Sequence, residues 1–226
     1  MRSLFAALIL CMTSTPGSVA QTLTLKGGVP EGLPGYAMGM DGSLTIEVPL
    51  KKRIFQCIEK ALDARVVWEA YPTRRVVQML IDGKLDLAFP MGFTSERASK
   101  MLQSRPTWEN PDNWLSMRPL DITDKSLRIA ARLGSPQQVD YLADGYTHVV
   151  GTYTYEELVR TLVQGLADAV IVPQSVYEDM KADWPKETRV SVGRARNSGF
   201  YLNATDPKGL LAPLNRAIDR CRVAAK

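Results

Sequence analysis

The sequence predicts an α/β protein of two similar lobes, each a mostly parallel sheet flanked by helices, with two hinge crossovers between them. Three observations lead there: an internal repeat, the same β-α-β order in both copies, and a C-terminal stretch that returns to the first lobe. The repeat sets VVWEAYPTRRVVQMLIDGKLDLAFP (66–90) beside HVVGTYTYEELVRTLVQGLADAVIV (148–172). Tyr71 then meets Tyr153, Leu80 meets Leu162, Gly83 meets Gly165 and Asp86 meets Asp168, each pair 82 positions apart. Val67 and Val149, and Val77 and Val159, keep the same offset. A fixed offset of this kind marks a duplicated supersecondary unit.

Each copy opens on an apolar pair that reads as a strand, Val66-Val67 or Val149-Val150. A helix follows. In the second copy Thr154 and Glu157 form a capping box, and Leu158, Leu162 and Val163 recur at helical spacing. Gly83 and Gly165 stand where a helix ends on a left-handed residue. Asp86 and Asp168 then lead into apolar runs that read as buried strands. Around these units, Thr22 to Leu25 is a first strand, Val48 to Leu62 an amphipathic helix and Leu127 to Ala131 the first strand of lobe two. Ser135, with Pro136 at the first helical position and Gln138 three residues on, opens the next helix. Asp206-Pro207 introduces the C-terminal helical region. Lobe one is expected over 21–123 and 188–226, lobe two over 124–187, with crossovers at Leu115 to Asp124 and Val190 to Asn203.

Residues 1–20 read as a secretory signal peptide. Arg2 is followed by a short apolar stretch, Leu4 to Met12, and Ser18-Val19-Ala20 precedes a cut at Gln21. That stretch is far shorter than the roughly twenty residues a membrane span needs. The mature protein is therefore expected in the periplasm. Removal of the signal leaves Cys57 and Cys221, which in an oxidising compartment either pair or are buried as separate thiols.

The charge balance, +4 with a pI of about 9.0, suits an anionic or zwitterionic small ligand, or a negatively charged membrane surface. The basic residues are interspersed and form no run of nucleic-acid-binding length, so nucleic acid is set aside. His148 is the one histidine, which leaves a histidine-based triad or zinc site little to build on. No cofactor or metal is implied. Tyr36, Phe89, Phe93 and Tyr153 fall at expected strand ends or loops, where rings can stack on a flat ligand.

The stretch GKLDLAFPMGFTSERA, preceded by Tyr71-Pro72-Thr73-Arg74-Arg75, resembles the polar amino-acid-binding family of type II periplasmic solute-binding proteins. ARLGSPQQ, YTYEELVRTLVQGLADAVIV and GFYLNATDPKGLLAPLNRAI follow the same pattern in the same order. The resemblance implies that Phe89, Pro90, Met91 and Gly92 line a cleft between the lobes. It implies that Arg97, behind Thr94, grips a ligand carboxylate, that Arg75 is a second arginine facing the ligand, and that Gly134 and Ser135 cap the other side. The family's acidic partner for an α-ammonium falls here on Pro173, which favours an anionic ligand that needs no such contact. The partners implied are an inner-membrane ABC permease or a membrane sensor receptor, and the state a monomer. A few relatives are dehydratases; Glu69 and Glu96 are the nearest candidates for their acid–base chemistry.

Overall fold

The computed structural model describes residues 23–223; the expected signal segment lies outside them. In chain order the first part of lobe one comprises β1 (Leu23–Pro30), β2 (Tyr36–Met38), β3 (Leu44–Ile46), α1 (Pro49–Leu62), β4 (Ala64–Tyr71), α2 (Thr73–Ile81), β5 (Leu87–Gly92), α3 (Ser95–Ala98), β6 (Leu102–Gln103) and β7 (Trp108–Glu109). Lobe two follows with β8 (Asp112–Ser116), β9 (Arg128–Arg132), α4 (Pro136–Ala143), β10 (His148–Thr152), α5 (Tyr155–Val163), β11 (Ala169–Pro173), α6 (Gln174–Asp179) and β12 (Arg189–Val192). The chain then returns through β13 (Asn197–Leu202) and α7 (Leu211–Val223) to lobe one.

The two sheets are built alike. In lobe one the order is β4-β1-β5-β13-β6, with β1 parallel to β4 and β5 and with β13 antiparallel. In lobe two it is β10-β9-β11-β8-β12, with β9 parallel to β10 and β11 and with β8 antiparallel. The repeat thus corresponds to β4-α2-β5 and β10-α5-β11. Gly83 and Gly165 both take positive φ, 69° and 66°, as helix-ending residues. The aspartates three residues on do the same work twice. Asp86 accepts the Lys26 backbone N–H at 2.8 Å, and Asp168 accepts that of Arg128 at 3.0 Å, each fixing the start of the next strand to the lobe's first strand.

Lobe two is larger than expected. Both β8 and β12 pair inside the second sheet, and Leu115 is fully buried in its core, so this lobe runs from Asp112 to Val192 rather than over 124–187. The crossovers are correspondingly short: Glu109 to Asp112 and Val192 to Asn197. They run side by side as an antiparallel ribbon, with Asn110 N–H on Arg196 O at 2.7 Å, Asp112 N–H on Arg194 O at 2.9 Å and Gly193 N–H on Asp112 O at 2.7 Å. Both segments are polar and lack strand alternation, which hides the pairing from a periodicity reading.

One face of the first sheet packs on α1 and α7 around Leu25, Phe55, Ile58, Trp68 and Ile218. Cys57 on α1 and Cys221 on α7 are joined as a disulfide across this layer. Phe89, expected at the ligand, belongs to the same core instead. It is fully buried, with ring centroids 4.3 Å from Phe200, 5.1 Å from Phe55 and 5.2 Å from Trp108. A parallel strand buried on both faces gives no sequence cue to which face a residue takes. Among the described residues no helix is long and apolar enough to cross a membrane.

Candidate functional site

Ligands of open parallel sheets bind beyond the carboxyl ends of the strands. Here four such ends, two from each lobe, meet at one cavity of about 80 Å³: Pro30 of β1, Gly92 of β5, Arg132 of β9 and Pro173 of β11 all line it. The lobes approach closely at this point. A Cβ added to Gly92 would stand 2.7 Å from Pro136 Cγ at the start of α4, which explains why glycine ends β5.

Arg97 is the polar centre on the lobe-one side. Thr94 caps α3 by accepting the Arg97 N–H at 3.1 Å, which sets the backbone from which the side chain reaches the cavity. The guanidinium is buried and donates to Gly92 O in lobe one and to Gly134 O in lobe two, both at 3.0 Å. Burial, with the nearby Arg196 cation acting in the same direction, lowers its pKa to about 10, so it remains charged at neutral pH. Facing it from lobe two is Arg132, also buried, which donates to Glu31 O across the cleft and lies 5.0 Å from the Tyr155 ring centroid. Neither guanidinium has a carboxylate partner among the described residues.

Arg196, in the second crossover, lines the same cavity but is neutralised. It donates Nε and Nη2 to the two oxygens of Asp112 at 3.1 and 2.9 Å, and Nη1 to Asp140 at 2.7 Å and to Phe93 O at 3.1 Å. Gln137 Nε2 completes the Asp112 shell at 2.7 Å. Asp112 is fully buried. This cluster joins both crossovers, α4 of lobe two and the end of β5 in lobe one.

Solved structures share the overall fold. A histidine kinase sensor domain with similarity to periplasmic binding proteins superposes with a TM-score of 0.74, at 16% identity, over 90% of this chain and 91% of that one. An ABC uptake transporter substrate-binding protein from Streptococcus pneumoniae, with bound histidine, gives 0.71 at 17% identity over 87% and 86%. An ancestral amino acid-binding protein, a precursor of cyclohexadienyl dehydratase, gives 0.68 at 19% over 88% and 90%. The chain has the two-lobed periplasmic-binding-protein fold. Neighbours that bind amino acids agree with the resemblance read from the sequence. No protein-family profile matches the sequence, and no curated protein does.

On this binding-protein fold the expected residues separate cleanly. Arg97, Met91, Gly92, Ser135 and Tyr36 line the cavity, with Pro90 and Pro173. Tyr36 is half-buried, and desolvation with the Asp179 carboxylate pushes its pKa up, so its hydroxyl stays protonated. Thr94 serves Arg97 as its cap and does not line the cavity. Gly134 contributes its carbonyl at φ +72°, and Arg74 packs where a side chain there would stand. Three expectations fail. Phe89 is core. Arg75 is exposed on α2, its guanidinium 5.1 Å from the Tyr71 ring, and does not line the cavity. Tyr153, 74% exposed, precedes the α5 cap and projects into solvent. Arg132, Arg196 and Tyr155 were not anticipated. Arg132 was recoverable from the strand-end rule, since it closes β9, a strand expected from the sequence.

Proposed function

We propose that the chain is a periplasmic solute-binding protein that captures a small carboxylate-bearing ligand between its lobes and closes about the paired crossovers. The observation that carries this reading is Arg97: a buried guanidinium at the meeting point of four strand ends, held by carbonyls of both lobes and lacking a carboxylate of its own. A ligand carboxylate there would gain two charge-assisted donors from a desolvated cation. Because the same side chain touches lobe one and lobe two, its ligand would also favour the closed arrangement, which is how a hinge protein couples capture to shape.

Delivery to an ABC importer is the first use of such closure, as in the transporter protein with bound histidine. The sensor-domain neighbour supports a second use, in which the closed form is read by a membrane receptor. Catalysis is less supported. Among the described residues no Asp, Glu or His lines the cavity, Glu69 is held outside it by the Tyr71 hydroxyl, and Glu96 pairs with Lys100 on the surface. A dehydratase needs a proton donor or acceptor beside the bound acid.

Titration calorimetry with short carboxylic acids tests the assignment. Arg97→Ala is expected to weaken binding by at least about 1.5 kcal/mol, the scale of a charge-assisted hydrogen bond. An unchanged affinity in the folded variant removes Arg97 from the site.

A further inference from the structure

We infer that the ligand carries two anionic groups, one taken by Arg97 of lobe one and one by Arg132 of lobe two. This rests on the cleft-binding reading above and narrows it to a substrate class.

Three buried arginines line one small cavity, and they are not equivalent. Arg196 has its charge cancelled by Asp112 and Asp140. Arg97 and Arg132 have only main-chain carbonyls, those of Gly92, Gly134 and Glu31. A carbonyl satisfies a donor but leaves the charge in place, and two desolvated cations against one cavity add their repulsion to the cost of burial. A monoanion neutralises one of them. A dianion neutralises both and spans the lobes, one guanidinium at each end.

The remaining lining agrees. Ser198 on β13 is buried, and its Oγ makes no hydrogen bond within the protein, which leaves a hydroxyl donor for a further oxygen. Leu33, Met91 and Val176 supply apolar lining. An ammonium group would find no carboxylate, because no Asp or Glu lines the cavity among the described residues and the end of β11 is Pro173.

The test is titration calorimetry of the mature chain with succinate, glutarate and phthalate, with butyrate and benzoate as single acids, and with glutamate, arginine and histidine. The best dicarboxylate is expected to bind at least about tenfold tighter than its single-acid counterpart, and glutamate no tighter than glutarate. Arg132→Gln is expected to weaken the best dicarboxylate at least about tenfold more than it weakens butyrate or benzoate. Equal binding of single and double acids overturns the inference, as does an Arg132→Gln effect of the same size on both. Amino acids binding where dicarboxylates do not overturns it too, while leaving the cleft reading intact. Silence from every compound removes both. The wild-type ratio of double to single acid decides alone if the variant does not fold.

Discussion

Asp112 sits fully buried beneath Arg196, and the two form a paired-oxygen, two-nitrogen contact that Gln137 and Asp140 complete. Removing Asp112 leaves Arg196 with Asp140 alone and its Nε and Nη2 donors unpaired in a dry interior. Asp112→Ala is therefore expected to lower stability by about 3–5 kcal/mol, read as a reduced midpoint in urea unfolding. A loss under about 1 kcal/mol would show that water reaches Arg196. Sequence reading found part of this site and missed part for physical reasons. Thr94 and Arg97 lie within one turn and form a local cap, so their relation is legible from spacing. Asp112 and Arg196 are 84 positions apart in two stretches that read as loops, and only the fold brings them together. Phe89 and Tyr153 were misplaced because strand position does not say which way a ring turns.

At the scale of elements, the duplicated β-α-β unit was the most legible feature, since its glycine and aspartate serve the same roles in each copy. Asp168 shows how firmly. It accepts from the Arg128 backbone and side chain and from Arg118, and these donors, Arg128 foremost, lower its pKa to about 2. A carboxylate depressed in the folded state adds stability above its unfolded pKa of about 4 and loses it as pH falls toward 2. Asp168→Asn is expected to cost no more than about 1 kcal/mol at pH 7, since the pair is partly exposed. The gap from wild type should close in unfolding curves taken between about pH 4 and pH 2. A constant gap would mean that the aspartate acts through packing. The capping expectation at Ser135 was half right: its hydroxyl takes the Gln138 N–H, but Gln138 turns its own carbonyl to Gly134 N–H instead. The short strands β6, β7 and β12 carry too few residues for alternation to register, and β8 is buried at every position and shows none.

For the whole molecule, the proposed closure about the paired crossovers would bring the strand ends of the two lobes together. Gly92 tests it without touching charge. A methyl group there meets Pro136 from the opposite lobe at 2.7 Å, so Gly92→Ala should hold the lobes apart. The expected signs are weaker ligand binding and a larger radius of gyration in small-angle scattering with ligand present; unchanged values would show that α4 yields at no cost. The central claim, capture of a small acid in the inter-lobe cleft, is met most directly by a thermal-shift screen of the mature protein against amino acids, single and double carboxylates, aromatic acids and polyamines. A ligand that binds only the folded state must raise the melting temperature, by about 2.7 kcal/mol of added stability at a hundredfold excess over Kd. A dose-dependent rise with a carboxylate, absent in Arg97→Ala, is the result predicted. A well-folded protein whose melting temperature no compound moves, or one raised only by a polyamine, would contradict it.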